Sequence, residues 1–104
     1  MLFTCKPYFM RALLLAALLV VAACQTAPVQ EMSDARMAIT VAREAGAEEH
    51  AATDLKAAVD YLQSAEGFLS ERKYDLARRD AVSAKASALD ALRRTESNTD
   101  PEPQ

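Results

Sequence analysis

From residue 32 onward the chain repeats one pattern: small or apolar residues separated by steps of three and four, with polar residues between them. The first run is Met32, Ala35, Ala38, Ala42 and Ala45, with Ile39 alongside. A second, Leu55, Ala58, Leu62, Ala65 and Leu69, and a third, Tyr74, Ala77, Ala81, Ala84, Ala88 and Ala91, keep the same spacing. A step alternating between three and four returns to one face of a helix every turn, so each run predicts an amphipathic helix. The predicted elements are Ser33 to Ala45, about Thr53 to Glu71, and about Asp75 to Arg94. Ser33 or Asp34 is placed to cap the first and Gly46 to end it.

Alanine seams let helix backbones approach closely, and a leucine seam opposite fills the gap. The second and third helices are therefore expected to form an antiparallel hairpin, because the "ERKY" turn between them is too short for another arrangement. Val82, Leu89 and Leu92 flank the third seam. Arg79, Asp80, Ser83, Ser87, Asp90 and Arg94 mark its opposite face as solvated surface, with Asp75 to Arg79 and Asp90 to Arg94 as i,i+4 ion pairs. The fold class is all-α: a short first helix plus an antiparallel helical hairpin, three helices in all.

The pattern upstream is different. An apolar run from Ala12 to Ala23 follows Lys6 and Arg11 and ends in small residues before Cys24, which is the tripartite order of a secretory signal peptide. Twelve residues fall short of the roughly 20 needed to span a bilayer. Val21-Ala22-Ala23-Cys24 also resembles the lipobox of a bacterial lipoprotein, with Val21 where leucine is usual. That resemblance implies cleavage between Ala23 and Cys24, a diacylglycerol thioether on the Cys24 thiol and acylation of the freed amine. Several acyl chains anchor far more firmly than one, so the expected partner is the membrane, through a lipid on Cys24. Gln25 is not the aspartate that resembles an inner-membrane retention signal, which favours the periplasmic side of the outer membrane over the inner membrane. Translation from Met1 and from Met10 both leave a complete signal.

The expected organisation is a signal peptide over 1–23, the lipidated cysteine and a flexible tether over 24–32, an alanine-rich helical domain over 33–94, and a disordered tail over 95–104. Pro28 and the absence of periodicity suggest the tether; "TESNTDPEPQ" has two prolines, three acids and no aliphatic residue.

Composition narrows the function. The 104 residues carry a net charge of −3. Two of the twelve basic residues precede Cys24 and all fifteen acidic ones follow it, so the part beyond Cys24 is at −5. An acidic body argues against nucleic-acid binding. Cys5 lies in the part to be removed and Cys24 is consumed by lipid, which leaves no disulfide. His50, with Glu49 adjacent and Asp54 four residues on, reads as a surface loop residue or as one member of a metal pair. A metal site wants three or four convergent ligands, so no metal is expected. No serine stands in a catalytic motif, and Gly46 and Gly67 are too isolated for a phosphate loop. Neither catalytic residues nor a cofactor is expected. Gly67 interrupts a helical pattern, which suggests close approach of another backbone. Tyr61, Phe68 and Tyr74 gather near the hairpin turn, either as core packing or as a patch for a protein partner.

The segment from Asp34 to Leu92 resembles the small alanine-rich bacterial lipoproteins of domain-of-unknown-function family 4398. The resemblance rests on an A-x-x-A-I-x-x-A-x-x-A-G-A-type first helix (Ala35 to Ala47), an L-x-x-A-x-x-x-L-x-x-A second helix (Leu55 to Ala65) and a Y-x-x-A-x-x-x-A-x-x-A third helix (Tyr74 to Ala84). Family members usually carry glycine just before the Tyr74-like turn, where this chain has Arg72-Lys73. Tyr61, Ala65, Phe68, Tyr74, Ala77 and Ala84 also stand at the intervals of a single tetratricopeptide unit, although such repeats normally come in three or more copies. The expected function is a non-enzymatic envelope lipoprotein, an interaction or spacer module, with self-association or a protein partner. The alternative is a tetratricopeptide-like binder of a peptide or ligand that serves a larger envelope complex.

Overall fold

The computed structural model describes residues 6–23 and 26–99. Among the described residues five helices follow one another: α1 (Lys6–Ala23), α2 (Val29–Glu44), α3 (Ala47–His50), α4 (Ala52–Ser70) and α5 (Tyr74–Thr99). No strand occurs among the described residues. The three predicted helices correspond to α2, α4 and α5. The single turn α3 and the N-terminal α1 raise the number to five.

Pairings across the fold fix the directions. Ser64 reaches Asp80, Asp54 reaches Arg94 and the His50 carbonyl reaches Asn98, so α4 and α5 run antiparallel. Glu31 pairs with Arg78 and Asp34 with Lys85, so α2 runs parallel to α5. The seams meet inside. Met32, Ala35, Ala38, Ile39 and Ala42 of α2, Leu55, Ala58 and Ala65 of α4, and Ala77, Ala81, Ala84, Ala88 and Ala91 of α5 are all buried. Leu62 packs against both halves of this core. Ala45 does not join it. That residue is the exposed C-cap of α2, one step before the chain turns away.

Several element ends differ from expectation. α2 starts at Val29, not at Ser33, and neither Ser33 nor Asp34 caps it. Pro28 sets the boundary: its φ of −77° suits a helix entry, and its carbonyl accepts from the Met32 amide at 3.0 Å. Met32 is only 2% exposed. Residues 26–32 are therefore docked and largely helical where a flexible tether was expected. Arg78 holds them from α5, donating to the Thr26 carbonyl and to Glu31, each at 3.1 Å. Cys24 and Gln25, the start of that tether, lie outside the described residues. At the other end α5 continues through Thr95 to Thr99, so this half of the expected tail is ordered helix; residues 100–104 lie outside the described part. Thr95, 1% exposed, takes the next seam position after Ala91 and donates its hydroxyl to the Ala91 carbonyl at 2.8 Å. A polar side chain that satisfies itself on its own helix can be buried cheaply.

The two turns are built differently. Gly46, at φ +99°, carries the chain out of α2, as expected. Between α4 and α5 the left-handed position is held by Arg72, at φ +60°. The Arg72 amide donates to the Leu69 carbonyl at 3.0 Å and the Lys73 amide to the Phe68 carbonyl at 2.9 Å, the paired bonds of a Schellman ending. Gly67 lies inside α4 with open space where a Cβ would stand, so no backbone approaches it.

Candidate functional site

Two surfaces of the bundle depart from ordinary solvated helix. The first runs between α2 and α5. Asp34, Met37, Ala38 and Val41 line it from one side and Lys85 and Leu89 from the other, around an open groove of about 240 Å3. Met37 is 65% exposed, and Val41, Val82 and Leu89 are also exposed. Met37 and Val41 are one turn apart on α2, and Val82 and Leu89 two turns apart on α5, so the helical repeat lines each pair up along one face. Val82 and Leu89 are thus not core residues beside the alanine seam. The close approach that alanine permits between α2 and α5 leaves larger neighbours outside the contact. The Lys85 Nζ lies 3.4 Å from the Asp34 carboxylate within this apolar strip.

The second surface lies between α4 and α5. Ala57, Asp60, Tyr61 and Ser64 of α4 and Asp80 of α5 line a groove of about 390 Å3. Asp80 is the correction here: read from sequence as solvated, it is 8% exposed. Ser64 Oγ donates to its Oδ2 at 2.6 Å. Ser83 and Ser87, further along the same side of α5, are half-buried. The expected ion pairs are also rearranged. Asp75 faces Arg78 and Asp90 faces Arg93, each one position earlier than anticipated, while Arg94 crosses to Asp54 at 3.0 Å.

The three aromatic residues do not form one cluster. Phe68 and Tyr74 flank the α4–α5 turn and are half-buried, whereas Tyr61 sits two turns earlier on α4, 42% exposed, in the wall of the second groove. Ala23 is the last residue of α1, and Cys24 is not among the described residues. His50 ends α3, exposed, its carbonyl accepting from Asn98 at 3.3 Å. Among the described residues no group of three or more His, Cys, Asp or Glu is placed to hold a metal, and no helix is long and apolar enough to cross a membrane.

Sequence reasoning missed Met37, Val41, Ser64 and Asp80. The signal for the first two was present, since they fall beside the small-residue seam and not on it.

The family described as domain of unknown function (DUF4398) matches residues 30–100, about two thirds of the chain. The chain belongs to this family. The matched stretch takes in α2 through α5, so the bundle and both grooves belong to the DUF4398 domain. No curated protein and no solved structure matches the chain.

Proposed function

We propose that this DUF4398 protein is a non-enzymatic lipoprotein of the bacterial envelope, held through Cys24 at the periplasmic face of the outer membrane, whose α2–α4–α5 bundle is an interaction module. The address is supported by Val21-Ala22-Ala23-Cys24 after a basic start and an apolar run. The module reading is carried by the exposed apolar side chains of Met37, Val41, Val82 and Leu89 along the α2–α5 seam, since contiguous exposed apolar area marks contact with another protein. The favoured occupant is a second copy. Each copy presents both Asp34 and Lys85 in the strip, so two copies related by a two-fold axis offer each acid a base. Anchoring confines copies to two dimensions and raises their effective concentration. A spacer role fits the same placement. The alternative, a tetratricopeptide-like binder of a peptide or ligand, is favoured by the α4–α5 groove, which opens beside the exposed Tyr61.

The decisive experiment on the address is the intact mass of the full chain recovered from the membrane fraction of a Gram-negative host. The expected result is loss of residues 1–23 and gain of a diacylglycerol and an acyl chain, with Cys24→Ser accumulating as precursor. Sucrose-gradient fractionation should place the lipidated form with the outer membrane. An unmodified Cys24 in membrane-associated protein would remove the anchor from the proposal.

A further inference from the structure

The two helix faces that border the α2–α5 groove carry opposite charge. On α2, Asp34, Met37, Val41 and Glu44 recur at helical steps; on α5, Val82, Lys85, Leu89 and Arg93 do the same. One stripe is apolar with acids, the other apolar with bases. Asp34 and Lys85 meet at 3.4 Å yet keep 36% and 47% of their side chains in solvent. Glu44 is exposed and has no ion pair among the described residues, and Arg93 is exposed beside Asp90 of its own helix.

Because α2 and α5 run in the same direction, the stripes lie side by side in register. Asp34 is level with Lys85, and Met37 and Val41 share one groove with Leu89. The same register brings Glu44 level with Arg93. A two-fold axis along the helices turns α2 of one copy to face α5 of the other. Asp34 then meets Lys85, Met37 and Val41 meet Leu89, and Glu44 meets Arg93. An axis across the helices instead sets α2 against α2 and α5 against α5. Centred on the apolar middle it puts Asp34 on Glu44 and Lys85 on Arg93; centred on the ion pair it puts Asp34 and Lys85 each on its own copy. Both alternatives bring like charges together, which is costly.

We propose that two copies pack in parallel, the acidic stripe of α2 in each against the basic stripe of α5 in the other. The inference rests on the second-copy reading and goes beyond it in fixing which face meets which. The chain ends agree with this arrangement. Both Thr26 residues, held by Arg78 near the start of α5, fall at one end of such a dimer, where lipids on two Cys24 residues would enter the same leaflet.

The test uses the full chain in nonionic detergent with Cys5→Ser and Cys24→Ser, so that its outcome is independent of lipidation. Single spin labels at Asp75→Cys and Ser97→Cys, both exposed positions, stand about 33 Å apart along α5. Electron–electron distance measurements on each variant and on their mixture should give two same-site distances that are both shorter than the mixed-site one. Charge reversal supplies a second readout. Asp34→Lys and Lys85→Asp should each dimerise at least tenfold more weakly than the parent, and their equimolar mixture should recover association as a heterodimer, an effect that fades as salt rises. A dimer whose mixed-site distance is the shortest, or no heterodimer preference while circular dichroism shows both variants folded, overturns the parallel arrangement and leaves the second-copy reading standing. A monomer at every concentration removes both.

Discussion

Arg72 occupies a conformation that glycine adopts freely. At φ +60° its Cβ crowds the following carbonyl, at a cost of roughly 1–2 kcal/mol for a non-glycine residue. The glycine that the family resemblance implies before this turn would have a physical reason: the Schellman ending of α4 requires a left-handed residue there. Arg72→Gly should stabilise the domain by about 1 kcal/mol, allowing for the greater chain entropy of glycine, seen as a higher denaturant midpoint at unchanged slope. Asp80 shows where residue-level reading from sequence fails. On a helical projection it lies only about 40–60° from Ala77 and Ala84, at the edge of the seam. Polarity alone then assigns it to solvent, and only the position of α4 decides that it is covered.

At the scale of elements, the alanine and leucine seams made α2, α4, α5 and their all-α packing legible, because burial of one face forces a strict helical period. The ends were not legible. Ser33 and Asp34 resemble caps, but Pro28 governs entry, and the polar composition after Arg94 hides a seam that continues at Thr95. Met32→Ala should therefore cost about 2–5 kcal/mol, as truncation of a buried side chain does; a loss near zero in urea unfolding would mean that residues 29–32 are a loose tether after all. Ala81→Leu or Ala84→Leu should cost about 1–3 kcal/mol by overpacking, against little for Ser83→Ala. Equal thermal unfolding of the three variants would show that the seam is misassigned.

For the whole molecule, a core made mostly of alanine buries little apolar area per residue, and a domain of this size with no cysteine to cross-link it stands near the balance of burial and chain entropy. Self-association should then appear as stability. The melting temperature of the full chain in detergent should rise with concentration, while Leu89→Glu and Met37→Glu should abolish that dependence and leave the dilute value close to the parent's. A concentration-independent melt of the parent, with a monomer throughout in sedimentation equilibrium, would refute the second-copy interface. The candidate sites were less legible than the fold, because each groove is made by two helices and its lining is fixed by their register.

The grip of Arg78 on Thr26 and Glu31 would limit how far the domain could work from the proposed anchor at Cys24. One residue, Gln25, separates Cys24 from that clamped segment, and two residues of fully extended chain cover at most about 7 Å. α5, the longest helix of the bundle at 26 residues, measures about 39 Å. A lipid on Cys24 would thus keep the bundle against the headgroups, and even an upright domain would end roughly 45 Å from them. With Cys24 lipidated, whatever occupies the grooves would itself have to come to the membrane surface.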